Sequence, residues 1–248
     1  MKETTILIDG DSLIYYEMGK PTLEEALQGI DQRINQMLVE CKATKYAGFL
    51  TSGKCFRYDV AETKPYKGNR RHGDKPIIFP ALKEYLRQEW NFISVSELEA
   101  DDLVSIYHDP MKTVICSPDK DVLYQNKVHN YNYGKAEFVT IDENDAIRFL
   151  WKQVLMGDST DGIGGIPKVG PKTADKWLEG ILPHEMPTFV LNKYIEIFGI
   201  QEGIYKFTET FKLIYILKSR EEAVLAAGIE LPELETYDIN QKEPDLWE

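Results

Sequence analysis

Short apolar runs that stop at carboxylates, separated by stretches of helical periodicity, constrain the fold more than any other feature of this chain. TTILIDGD (residues 4–11) reads as a buried strand ending at Asp9 and Asp11. Residues 22–42 follow with Leu23, Leu27, Ile30, Ile34, Met37 and Leu38 on one helical face. YAGFLT is a second strand, residues 79–90 are helix-like, and FISVSE is a third strand. LEADDLVSIYH opens a helix with its acids in the first turn, where the helix dipole favours negative charge. TVICSPD is a fourth strand, again ending at an acid, and VHNYNY with EFVT adds an edge hairpin. Strands that alternate with helices predict an α/β fold with a mainly parallel central sheet and helices on both faces. From Asp142 onward the pattern is helical, interrupted by the glycine-rich run GDSTDGIGGIPKVGPKTADKWL.

The acids then acquire a common place. In an open parallel sheet, ligands bind outside the carboxyl ends of the strands. Asp9 and Asp11 follow the first strand, Asp119 and Asp121 the fourth, and Glu99, Asp101 and Asp102 begin the helix after the third. Asp158 and Asp161 start the glycine-rich run. So many carboxylates on one rim repel one another unless cations sit among them. Hard oxygen ligands suit Mg²⁺ or Mn²⁺, and two such ions make a phosphodiester-cleaving site. A single DGD after a strand is equally a capping turn, since Asp favours helix starts, so the weight lies in the four clusters together.

The glycine-rich run has two turns, at Gly164-Gly165 and at Val169-Gly170-Pro171, and the second opens a helix with proline in its first turn. Glycines let backbone N–H groups approach phosphate, and a helix N-terminus favours the anion. Gly165 and Gly170 supply this approach, and Lys168, Lys172 and Lys176 add charge without reading bases. Taken alone, such a turn is also an ordinary corner between helices.

Net charge decides less than its placement. The 248-residue chain carries −12, which opposes nucleic-acid binding if spread evenly. From Glu221 to Glu248, however, nine acids face one base, which leaves −4 for the first 220 residues. Between Lys54 and Lys75, seven bases face three acids. The apolar share of 43% supports a sizeable core, and no run approaches a membrane span or a signal peptide, so a soluble, cytoplasmic protein is expected. Cys41, Cys55 and Cys116 show no metal spacing and are expected to be reduced and structural, and the four histidines are scattered.

ILIDGD, PYKGNRR, LEADD, SPDKD and GDSTDGIGGIPKVGPKTA, in this order, resemble the 5′ nuclease family, the phage and bacterial 5′→3′ exonucleases and flap endonucleases. The resemblance runs from about Ile6 to Leu178, and the short basic segment with GDxxDG looks most like the phage-encoded 5′→3′ exonucleases. It implies a PIN-like nuclease domain over residues 1–155 with a short helical arch at about 64–85. A helix–hairpin–helix region over 156–220 and an acidic C-terminal tail over 221–248 would follow. By the same resemblance Asp9, Glu99, Asp101 and Asp119 look like ligands of a first metal with Asp102 beside them, and Asp121, Asp158 and Asp161 like those of a second. Lys67 matches the lysine that contacts the scissile phosphate. Tyr66, Arg70 and Arg71 would lie along the DNA, and the hairpin is implied to hold K⁺ through backbone carbonyls.

In one place the chain departs from the family. An aspartate usual after the second strand is replaced, in FLTSGKCFR, at what reads as Ser52. The implied activity is metal-dependent hydrolysis of duplex, nicked or 5′-flap DNA in phage or bacterial replication, with RNA–DNA hybrids open as substrates. The acidic tail could bind a replication protein or screen the DNA groove. Tyr131 and Tyr133 alternate on an edge strand where bases could stack. Two other readings stand beside this one. A haloacid-dehalogenase-type phosphatase would use Asp9 and Asp11 as its DxD, and a non-catalytic, structure-selective DNA-binding protein would bind branched DNA without cutting it.

Overall fold

The computed structural model describes residues 4–69 and 77–239. The chain opens with β1 (Thr5–Asp9), α1 (Gly10–Glu17), α2 (Leu23–Glu40) and β2 (Lys45–Phe49). It continues through α3 (Arg57–Val60), α4 (Phe79–Glu89), α5 (Ala100–Ile106), β3 (Thr113–Cys116), α6 (Lys120–Gln125), β4 (Val128–Asn132) and β5 (Glu137–Ile141). The remainder is mostly helical: α7 (Glu143–Met156), the short strands β6 (Gly157–Asp158) and β7 (Ile163–Gly164), α8 (Pro171–Leu178), α9 (Met186–Phe198), α10 (Ile200–Ile214), α11 (Arg220–Ala227) and a last strand β8 (Tyr237–Asp238). Among the described residues no helix is long and apolar enough to cross a membrane.

The chain forms two compact units, residues Met1–Cys55, Lys75–Ile141 and Ile216–Glu248 in the first, Phe56–Asp74 and Asp142–Tyr215 in the second. In the first, six strands run in the order β5-β4-β3-β1-β2-β8. β1 pairs parallel with β2 and β3, and β4 pairs parallel with β3, while β5 and β8 are antiparallel edges. Ile6 and Ile8 of β1 join one core cluster with Leu13 of α1, Ile30 and Ile34 of α2 and Leu82 of α4. Leu7 between them is equally buried and points to the other face, as strand alternation requires. There α5 packs on β1 and β2 and buries Leu103 and Val104. Burying each such side chain contributes about 1.5–3 kcal/mol, which fixes the strand register and thereby the positions of the acids at strand ends.

FISVSE does not form the expected third strand. Only Ile93 bridges Phe49 and Glu97 bridges Cys55, because Asn91 and Glu97 both adopt positive φ (51° and 65°) and turn the segment away from an extended ladder. Tyr131 and Tyr133 are buried rather than available for stacking on bases, Tyr133 lying edge-on against Tyr16. All three cysteines are buried thiols. The acidic stretch is folded as far as it is described: α11 begins at a Ser219 cap, Tyr107 Oη donates to Pro232 O (2.7 Å), and β8 pairs with β2.

In the second unit, residues 57–63 join the helical segment through specific ties. Arg57, 2% exposed, donates to the carbonyls of Leu213 (3.2 Å) and Tyr215 (2.7 Å). Glu209 accepts from the N–H groups of Glu62 and Thr63, both at 2.7 Å. Trp151 of α7 packs with its ring nearly parallel to those of both Phe207 and Phe211 of α10, and Tyr194 of α9 donates to Val154 O (2.7 Å). β6 and β7 pair antiparallel around the glycine-rich run, where backbone meets backbone. A Cβ on Gly165 would lie 2.1 Å from Met156 C and 2.3 Å from Gly157 N. Gly165→Ala is therefore expected to cost about 1–3 kcal/mol, because neither neighbour is a flexible side chain that can yield. Urea unfolding would show it as a lower midpoint, and an unchanged midpoint would contradict this packing.

Candidate metal centre and nucleic-acid interface

The parallel sheet delivers its acids as the strand pattern predicts. Asp9 ends β1 and caps α1, with its carboxylate accepting from Ser12 N (3.1 Å), Ser12 Oγ and the buried Ser117 Oγ (3.0 Å). Ser117 Oγ also accepts from Asp119 N (3.1 Å), so a single serine after β3 couples Asp9 to the next acid. Burial, reinforced by the carboxylates of Asp11 and Asp119, pushes the Asp9 carboxyl up to about 6. Asp119 caps α6 and accepts from Asp121 N (2.7 Å), and Asp121 lies 3.7 Å from Lys120 Nζ.

Glu99, Asp101 and Asp102 form the tightest group. One carboxylate oxygen from each lies within 4.8 Å of the others, and together they could hold a metal ion. Three carboxylates so close repel strongly without a cation, and an all-oxygen donor set suits a hard divalent ion. Their orientation follows from α5. Glu99 and Asp102 form a reciprocal capping box at its N-terminus. The fully buried Asp102 accepts from Glu99 N (3.3 Å) through one oxygen and from Leu217 N (3.1 Å) through the other. Asp102 thus anchors the chain, whereas Asp101 is only partly buried.

Asp11 is turned toward β2. Its two oxygens accept from Thr51 N at 3.4 and 3.3 Å, and burial raises its carboxyl above the usual carboxylate range, with Lys83 opposing and Glu99 adding to the shift. Ser52, expected from the sequence to stand among the acids, is exposed and donates to Val95 O (3.3 Å). The residue after β2 that reaches the acid group is Thr51, whose Oγ1 accepts from Ala100 N at 3.1 Å. A one-residue register difference in a turn inverts which side chain points inward, and the sequence alone cannot fix it.

In the second unit, residues 66–69 are fastened to the loop between β6 and β7. Lys67 N donates to Asp161 O (2.7 Å), Asn69 Nδ2 to Ser159 O (2.7 Å), and Tyr66 Oη to Asp161 Oδ2 (3.4 Å). Lys67 Nζ lies 3.9 Å from Asp161 Oδ2 and 4.9 Å from the centre of the Tyr66 ring. Lys67 has φ of 55°, a conformation uncommon for a non-glycine residue and set here by that backbone tie. Asp158 accepts from Thr160 N (2.7 Å) and shapes the same loop. Arg70 and Arg71 lie outside the described residues, and between 61 and 69 the described chain contains turns and no helix.

Gly165 serves packing, as described above, while Gly170 caps α8 with open space where a Cβ would be. Lys168, Lys172 and Lys176 are all exposed, Lys168 with φ of 65° in the turn before α8. Ser12, Ser117 and Asn69 escaped the sequence reading. The SPD signal after β3 held the only hint of Ser117, since a serine before a capping aspartate is otherwise unremarkable.

No protein-family model matches the chain. Its sequence is 25% identical over 195 residues to the flap endonuclease Xni of Shewanella woodyi, covering 71% of this chain and 77% of that protein. The match to the 5′-3′ exonuclease of Buchnera aphidicola is 27% over 231 residues, 83% of this chain and 75% of the relative. The chain is thus similar in sequence to proteins named as flap endonucleases and 5′-3′ exonucleases. The T5 D15 protein, co-crystallized with metal ions, has the same fold at a TM-score of 0.71 and 16% identity, over 90% of this chain and 93% of that one. These likenesses favour the nuclease reading over the haloacid-dehalogenase alternative.

Proposed function

We propose that this chain is a divalent-metal-dependent 5′→3′ exonuclease or flap endonuclease that hydrolyses phosphodiester bonds in duplex, nicked or 5′-flap DNA. The observation that carries the proposal is the group of Glu99, Asp101 and Asp102, with oxygens within 4.8 Å at the start of α5, in the same sheet-based unit as the buried Asp9. Asp9, Glu99, Asp101 and Asp119, with Asp102 beside them, would hold a first Mg²⁺ or Mn²⁺, and Asp121, Asp158 and Asp161 a second. Such ions supply a nucleophilic water at neutral pH and charge stabilisation for the leaving oxygen.

The protein's own groups do the positioning. Ser12 and Ser117 hold the Asp9 carboxylate by three hydrogen bonds, so its orientation does not depend on a ligand. Lys67, fixed by its backbone bond to Asp161, would place an ammonium where phosphoryl charge grows in the transition state. Exposed Lys168, Lys172 and Lys176 around the open Gly170 turn would grip the duplex backbone without reading sequence, as phosphate contacts do. In this reading Tyr66, Arg70, Arg71 and Gly165 would also contact the DNA, and the hairpin turn would hold a K⁺ ion. The setting is phage or bacterial DNA replication in the host cytoplasm. RNA–DNA hybrids are a further substrate class, and a replication protein is the expected partner of the acidic C-terminus.

Purified protein incubated with nicked and 5′-flap DNA in Mg²⁺ or Mn²⁺, beside Asp158→Asn, tests the reading. Cleavage should appear with the wild type, vanish with EDTA and fall by at least about a hundredfold in the variant. Tight binding of flap DNA without any cleavage in either metal would instead favour a structure-selective DNA-binding protein.

A further inference from the structure

The end of β2 carries a connection that the proposed chemistry does not by itself require. Thr51 is joined to three different parts of the first unit. Its N–H donates to the Asp11 carboxylate after β1 (3.3 and 3.4 Å), its carbonyl accepts from Lys83 Nζ of α4, and its Oγ1 accepts from Ala100 N (3.1 Å). Ala100 is the first residue of α5 and lies between Glu99 and Asp101. The first N–H groups of a helix have no partner within it, so the Thr51 hydroxyl satisfies one of them and holds the helix start at a fixed place. Ala100 is itself 2% exposed, so no water replaces that acceptor without rearrangement.

We propose that Thr51 is the positioning residue of the Glu99–Asp101–Asp102 group, setting the orientation of these carboxylates through its hydrogen bond to the first turn of α5. The inference rests on the reading of Glu99 and Asp101 as metal ligands. Outer residues that orient ligands typically govern metal affinity by about ten- to a hundredfold. The backbone N–H and carbonyl bonds of Thr51 do not depend on its side chain, whereas its hydroxyl meets both Ala100 N and the Asp11 carboxylate. Substitution at this position therefore isolates the hydroxyl.

The test is Mn²⁺ binding to the full chain, followed by electron paramagnetic resonance of the free ion, for the wild type and for Thr51→Val, Thr51→Ala and Thr51→Ser. Valine keeps the β-branched shape, alanine guards against a valine variant that does not fold, and serine restores the acceptor. Val and Ala are expected to weaken Mn²⁺ binding about tenfold, and Ser to bind close to the wild type. Wild-type affinity in the Val and Ala variants, or an equal loss in the Ser variant, would overturn the role of the hydroxyl. A wild type that binds no Mn²⁺ would overturn the metal reading itself, which separates the two failures.

Discussion

Lys67→Ala should lower the rate of Mg²⁺-dependent DNA cleavage by about 10²–10³-fold, the usual cost of removing one preorganised charge that meets the transition state. The side chain is not a folding element of the second unit. Its backbone N–H makes the 2.7 Å bond to Asp161 O, and that bond survives truncation at Cβ. The ammonium sits 3.9 Å from Asp161 Oδ2, at the long end of the ion-pair range, so its loss is expected to lower stability only modestly. The variant should therefore keep its unfolding midpoint and its affinity for flap DNA while losing turnover. Single-turnover cleavage beside a binding isotherm separates these effects. A rate within a few fold of wild type would remove Lys67 from the chemistry, and a collapse of stability would mean that the lysine is structural.

Asp9→Asn should abolish cleavage and at the same time stabilise the metal-free protein at alkaline pH. Burial holds the Asp9 carboxyl up at about 6 against 3.8 for an ordinary aspartate, so the folded protein binds a proton more tightly there than the unfolded chain does. The stability from the neutral form is fully present below 3.8 and is lost as pH rises through about 6. At pH 8 the loss is on the order of 3 kcal/mol. Asparagine carries no charge at any pH and should remove this part of the decline. Thermal unfolding without metal between about pH 4 and 7 should therefore show the wild type falling relative to the variant. Added Mn²⁺ should restore the wild type and leave the variant unchanged. Parallel curves without metal would contradict a buried, ionised Asp9.

The sequence exposes this site unevenly, and the reasons are physical. β1, β2, β3 and the β4–β5 hairpin are visible as apolar runs, and their acids fall at the strand ends because a parallel sheet puts them there. FISVSE has the same composition, yet positive φ at Asn91 and Glu97 removes it from the ladder, and backbone conformation of that kind leaves no mark in hydrophobic periodicity. Tyr131 and Tyr133 alternate with polar residues as exposed edge residues would. Their burial depends on β5 and α1 covering β4, which is a tertiary fact. Thr51 and Ser52 differ by one position, and only the path of the chain after β2 decides which reaches Ala100. Arg57 ties its own short helix to distant backbone carbonyls, and carbonyls carry no sequence signal. Asp9, Glu99 and Asp101 are readable because charge clustered at a strand end and at a helix start is costly without a purpose, whereas Ser117 is not, because a serine alone costs nothing.

Polarity of cleavage tests the central claim most directly. A nicked duplex and a 5′-flap duplex, each labelled at the 5′ end in one preparation and at the 3′ end in another, are followed in time with Mg²⁺. Short 5′-labelled products are expected from the outset, with 3′-labelled material shortening only from its 5′ side. Products released first from the 3′ end, or cleavage that proceeds in EDTA, would contradict that claim.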